Sequence, residues 1–207
     1  MKKSLKGADR QNKRSQKSTQ NGIASSELLI IKNLKTPIGE MTAAATEKGI
    51  CVLEFSDRKD LEKELNELKK QIGCLLKKGT NEHLKELTVQ LKEYFSGKRN
   101  SFKLKLDFLG TPFQKTVWRS LLKIPFAKTI SYKEQAESIF QSKSIRAMAH
   151  TNGMNKISIV VPCHRVIGSN GSLTGYGGGL WRKKYLINME RKYKGMSPLY
   201  PDQGVLF

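Results

Sequence analysis

The sequence predicts an α+β protein in two parts, a small N-terminal α/β unit and a mainly helical unit after it. Three observations carry that expectation. Short β-rich runs are confined to residues 28–55, two segments between 59 and 95 each show one apolar stripe at helical spacing, and helix-start signals recur after Gly110.

In the first unit, assigned to residues 23–108, Leu28–Ile31, Met41–Thr46 and Ile50–Phe55 read as strands of a hairpin or meander. Pro37-Ile38-Gly39 and Glu47-Lys48-Gly49 supply the turns between them. Lys59–Leu76 then places Leu61, Leu65, Leu68 and Ile72 on one face of a helix, and Asn81–Phe95 does the same with Leu84, Leu87, Leu91 and Phe95. Phe102, Leu104 and Leu106 alternate with charged residues, the pattern of a further strand before Gly110.

The second unit, residues 109–196, opens with Thr111 as a helix cap and Pro112 at the first helical position. Phe113, Val117, Trp118, Leu121 and Leu122 form its inward side, and the helix ends before Pro125. Ser131 followed three residues later by Glu134 is a capping-box spacing for a short helix through Ile139. After a turn at Phe140-Gln141-Ser142, a third helix directs Ile145, Met148, Ala149 and Asn152 to the core and Lys143, Arg146, Ala147 and His150 outward. Two short helices joined by a tight turn, the second with Arg on its open face, have the form of a helix-turn-helix.

Lys and Arg outnumber Asp and Glu by 38 to 18, for a formal charge of +20 and a pI near 9.9. A polyanionic partner follows from that excess, although a solubilising surface would account for it as well. Residues 1–22 carry seven of the cations against Asp9 alone and are expected to be a disordered basic tail; residues 197–207 are assigned to a C-terminal tail. Cys51, Cys74 and Cys163 are far apart with no C-x-x-C pair, which suggests neither a thiolate zinc site nor a disulfide framework and favours a reducing, cytoplasmic compartment. No apolar run has the length of a membrane span, and no signal-peptide core opens the chain, so no membrane association is expected.

The stretch richest in chemistry is Ile157–Ile167. Its β-branched first half reads as a buried strand, and Pro162 ends the ladder so that Cys163 emerges at the strand end. A free cysteine in an apolar run is equally a small buried hydrophobe, and the residues alone leave both readings open. Cys163 and His164 are adjacent, and adjacent side chains diverge in strand and helix alike; a bridging water would connect them better than direct contact. Glu190 shares a helical stripe with Leu186, Met189 and Tyr193, where a carboxylate needs a partner; an imidazole would serve, and so would water at a helix end. The Gly-rich run Gly171–Gly179 lacks the spacing of a phosphate loop or dinucleotide fingerprint, but its glycines allow close approach to a flat ligand beside Tyr176.

Pro162-Cys163-His164-Arg165-Val166 preceded by Asn155, with Ser131-Tyr132 and Gly175-Tyr176-Gly177-Gly178, resembles the O6-alkylguanine-DNA alkyltransferase family over roughly Gly110–Arg191. The resemblance implies a ribonuclease H-like N-terminal domain and a winged-helix-like catalytic domain. It also implies single-turnover transfer of an alkyl group from O6-alkylguanine, with O4-alkylthymine a further candidate, to Cys163, which is consumed. By the same resemblance His164 is the base acting through water, Glu190 the acid behind it, Asn155 the organiser of the network and Tyr132 the proton donor near O6. Arg146 then fills the space of the extruded nucleotide, and the backbone around Val166, Tyr176, Gly177 and Gly178 reads the guanine. The partner implied is double-stranded DNA entered through the minor groove by a monomer, with the base flipped out.

Three positions depart from the family pattern: Lys156 where Pro is usual, Ala127 where Gly is usual and Met154 where Arg is common. They bear on lesion affinity and loop rigidity rather than on the reaction. No Cys and His set near the N-terminus matches the zinc site of some members, so neither metal nor cofactor is expected. Two other readings compete. One is a non-enzymatic lesion-binding or regulatory DNA protein, which the acceptor cysteine disfavours. The other is a cysteine hydrolase, which would need an independently placed histidine where His83 and His150 fall on helix surfaces.

Overall fold

In the computed structural model, residues 28–139 and 145–201 are described. The basic tail 1–22, the turn at Phe140-Gln141-Ser142 with Lys143, and residues 202–207 lie outside them.

β1 (Leu28–Thr36), β2 (Gly39–Ala45) and β3 (Ile50–Phe55) form an antiparallel meander in which the first turn closes with Thr36 opposite Gly39 at φ 119°. α1 (Leu61–Ile72) ends at Gly73, whose left-handed φ of 60° turns the chain into a strand, so the helix is shorter than the expected Lys59–Leu76. That strand, β4 (Leu75–Lys78), lies parallel to β1, so the sheet order is β3-β2-β1-β4. α1 covers one face through Leu61 and Leu68 against Leu29, Ala44 and Val52. α2 (Glu82–Phe95), capped by Asn81, packs Leu84, Leu87 and Leu91 on the other.

β3 is an edge strand by pairing, yet all six of its residues are buried. Two later segments cover its open side: Ile50 bridges Leu106, and Leu53 bridges Ile157. The strand expected over Phe102–Leu106 is reduced to that one bridge. Gln90 clasps the Lys103 backbone with bonds of 2.8 Å in both directions and replaces a ladder there.

α3 (Pro112–Leu121) starts at a capping box of Thr111 with Gln114. β5 (Ile130–Ser131) leads into α4 (Tyr132–Ser138), which has the capping box expected from Ser131 and Glu134. α5 (Ile145–Gly153) follows, with Met148 and Asn152 buried and Arg146, Ala147 and His150 exposed; Ile145, expected to face the core, is exposed because it stands at the helix start. Trp118 Nε1 donates to Thr151 O, and Gln135 and Asn152 bond side chain to side chain, which holds α3, α4 and α5 together. β6 (Val166–Ile167) pairs in parallel with β5, and α6 (Leu180–Tyr193) closes the chain's core.

Arg182 of α6 ties the two halves together. It makes a bidentate pair with Asp57, donates to Ile38 O and Gly178 O, and lies 4.1 Å from the Phe55 ring centroid. The main hydrophobic core is shared, with Met41, Phe55, Leu84 and Tyr94 from the first half packed with Val117, Trp118, Met148 and Leu186 from the second. Among the described residues no helix is long and apolar enough to cross a membrane, and no cluster of three or more His, Cys, Asp or Glu could hold a metal ion.

Candidate active site

Ile157–Val161 is not the strand that its β-branched composition predicts. Only Ile157 pairs, with Leu53, and the chain then turns back on itself through Val160 N–H to Ser158 O and Val161 N–H to Ile157 O. Ile159 has φ 71°, a conformation strained for a β-branched residue. Pro162 then caps a single 3-10 turn, Cys163–Arg165, so Cys163 sits at the start of a turn and not at a strand end. The Asn155 side chain straps this turn by donating to Val161 O at 2.9 Å and to Cys163 Sγ at 3.2 Å.

Cys163 is 7% exposed, and burial pushes its thiol up to about 11. The Asn155 bond and the Lys183 ammonium oppose that rise, while Glu54 adds to it. The resting sulfur is therefore a thiol, and a base would be needed to make it a nucleophile.

His164 and Glu190 meet as the stripe argument allowed. His164 Nε2 lies 2.9 Å from Glu190 Oε1, both side chains buried. A carboxylate accepts, so Nε2 carries the proton and Nδ1 presents a lone pair; Nδ1 has no hydrogen-bond partner among the described residues. Burial lowers the His164 pKa against the pull of Glu190, which keeps the imidazole neutral at pH 7. No hydrogen bond joins Cys163 to His164, in keeping with the divergence of adjacent side chains.

Glu190 has more partners than a histidine alone. Arg165 donates to it through Nε at 3.0 Å and Nη2 at 2.9 Å, Tyr94 through its hydroxyl at 2.7 Å, and the Ala127 N–H at 2.9 Å. Burial alone would raise this carboxyl, but His164 and Arg165 hold it well below the usual range. Ala127, at φ 62°, occupies a backbone conformation that glycine would adopt without strain. Tyr193, expected on the same buried stripe, is exposed instead, its hydroxyl bonded to Phe95 O.

Tyr132 and Tyr176 flank the sulfur, each with its pKa raised first by burial and further by Cys163. The Tyr132 hydroxyl donates to Thr174 O and Gly175 O at 3.4 Å, whereas that of Tyr176 is buried without a partner among the described residues. Lys183, fully buried with its pKa lowered to about 8 by burial, donates to Val166 O and Thr174 O and ties these two stretches of backbone together. Gly178 packs on Phe55, so closely that a Cβ would lie 2.5 Å from that ring, and Gly177 is exposed beside Arg58. The structure thus gathers Asn155, Cys163, His164, Glu190, Tyr132, Val166 and the Tyr176–Gly178 loop. Arg146 stands apart on the open face of α5. Sequence reasoning missed Arg165, Tyr94, Lys183, Glu54 and Ser158 as members of this cluster. Of these Arg165 and Glu54, each a charge inside an apolar run, left a signal.

Residues 29–108 match the family described as 6-O-methylguanine DNA methyltransferase, ribonuclease-like domain, and residues 112–192 its DNA-binding domain. A methylated-DNA–protein-cysteine methyltransferase of Methanosarcina barkeri is 42% identical over 160 residues, 76% of this chain and 94% of that protein. The chain belongs to this family. Among solved structures, an O6-methylguanine methyltransferase of Mycobacterium tuberculosis aligns with TM-score 0.69 at 34% identity over 84% of this chain and 96% of that one. A Mycobacterium tuberculosis OGT in complex with DNA aligns with TM-score 0.68 at 34% identity over 83% and 95%. The methyltransferase family thus accounts for both parts of the α+β fold, the ribonuclease-like sheet unit and the helical unit that carries Cys163.

Proposed function

We propose that this methyltransferase-family protein repairs DNA by moving the alkyl group of O6-alkylguanine onto Cys163. The observation that carries the reading is the acceptor thiol held by Asn155 beside a neutral His164 whose Nδ1 lone pair is free and whose other nitrogen is fixed by Glu190. The Cys163 sulfur attacks the alkyl carbon, and the bond from that carbon to O6 breaks as the thioether forms. Nδ1 of His164 takes the thiol proton through one water, and the resulting imidazolium is stabilised by the Glu190 carboxylate. The electron pair left on O6 is met by a proton from Tyr132, so guanine departs neutral. A thiol this buried cannot reach a base within the duplex, which requires the nucleotide to be flipped out.

Arg146 on the open face of α5 would occupy the vacated space from the minor groove, and Val166 with Tyr176–Gly178 would line the guanine edge. The protein acts as a monomer in a reducing, cytoplasmic compartment. Incubation with duplex DNA containing O6-methylguanine, followed by mass measurement of the Cys163 peptide, tests the reading. One methyl is expected on that peptide in wild type and none in Cys163→Ser, with DNA binding retained. An unmodified peptide and an intact lesion would sink it.

A further inference from the structure

Glu54 takes no part in the chemistry above, yet it is buried on β3 at the edge of the site, 1% exposed. Its Oε1 accepts from Ser158 Oγ at 2.8 Å. Its Oε2 has no hydrogen bond among the described residues; the cation nearest to it in an ion pair is Arg58 Nη1 at 3.6 Å, and Arg58 is already bonded to Glu64 at 2.6 Å. A buried carboxyl so sparsely satisfied is costly, and its place in the fold explains why the cost is borne.

The residue before it, Leu53, donates to Lys156 O and accepts from Ser158 N–H, both at 2.8 Å. Two consecutive residues of β3 therefore hold Lys156–Ser158 by three bonds, immediately before the strained Ile159. From there the chain runs through the turn to Val161 and on to Cys163 N–H, which donates to Val161 O at 2.8 Å. Without that grip, the left-handed Ile159 has every reason to relax, and the acceptor sulfur would move with it.

We propose that Glu54 is a positioning residue for the alkyl transfer: through Ser158 its carboxyl holds the Lys156–Val161 turn that presents Cys163, and it sets a titratable charge beside the acceptor sulfur. This rests on the reading of Cys163 as the acceptor. The charged and titratable groups around Glu54 are Arg58 from the loop after β3, Glu64 from α1, and Cys163 and Tyr176 from the catalytic unit. Burial pushes Glu54 up to about 7 against Arg58, so its charge changes near neutrality. When ionised it raises the Cys163 thiol further and opposes loss of the proton.

Single-turnover transfer from O6-methylguanine duplex DNA, followed from pH 6 to 9 in the full chain, tests this with Glu54→Gln, Glu54→Leu and Ser158→Ala. Glu54→Gln keeps an oxygen for Ser158 but removes the charge. Its rate relative to wild type should climb between pH 6 and 8, by about threefold per unit of thiol pKa once the weaker nucleophilicity of a more acidic thiol is counted. Ser158→Ala and Glu54→Leu should slow transfer across the range while the Cys163 peptide is still fully methylated at the end point. A pH-independent ratio for Glu54→Gln together with a wild-type rate for Ser158→Ala would overturn the inference. Should Glu54→Leu fail to fold, the other two variants decide it. A wild-type protein that leaves Cys163 unmodified would instead overturn the acceptor reading itself, before any variant is compared.

Discussion

Replacing Glu190 by Gln should make the protein unfold far more readily, because among the described residues the carboxylate is the ion-pair partner of the buried Arg165. The amide oxygen can still accept one or two of the donors from Tyr94, His164, Arg165 and the Ala127 backbone, but the guanidinium loses its countercharge. Breaking a buried pair by removing one partner costs about 3–5 kcal/mol. For a chain of this size that corresponds to a fall of roughly 6–20 °C in Tm. The assay is thermal unfolding at pH 7 of wild type, Glu190→Gln, Arg165→Met and the double variant. The double variant should lose less than the sum of the singles, since removing both charges leaves neither stranded. Because the folded Glu190 pKa is depressed, its stabilisation is present above the unfolded carboxyl value of about 4.3 and is lost as pH falls below it. The gap between wild type and Glu190→Gln should therefore narrow in acid. A fall in Tm under about 3 °C at pH 7, with additive singles, would refute the reasoning.

Two further outcomes follow from the same geometry. Glu54, raised from the ordinary carboxyl value of 4.5 to about 7, contributes stability that is present below the unfolded pKa and lost as pH rises through 7; urea unfolding should find Glu54→Gln gaining about 3 kcal/mol on wild type between pH 4 and 8.5. Ala127→Gly should relieve the left-handed backbone at φ 62°, worth about 1–2 kcal/mol, at some cost in unfolded-chain entropy; a net gain of about 0.5–1 kcal/mol by the same method is expected, and a loss would speak against strain there.

The legible parts of this chain were those whose signal is local. Thr111-Pro112 and Ser131 with Glu134 announced helix starts because a capping side chain acts within three residues. Glu190 was legible as a carboxylate on an apolar stripe, since burial of a charge demands a partner somewhere. What escaped depended on contacts distant in sequence. Ile157–Val161 has strand composition, but a single bridge to Leu53 and the turn beyond it override propensity. β4 is indistinguishable from the preceding helix by spacing alone, because Leu75 and Leu76 fall three and four residues after Ile72 and continue the apolar stripe past Gly73, where the helix ends. Tyr94, 96 residues from Glu190, and Lys183, in a run of basic residues, carried no mark of their roles.

The sharing of one core across both family segments bears on how the chain can be divided. A cut near residue 110 would separate Phe55 and Tyr94 from Trp118 and Leu186, bare the open side of β3, and strip the turn before Cys163 of the strand it leans on. The two halves are separable in alignment but not in packing. They share one hydrophobic core, and Cys163 is part of it.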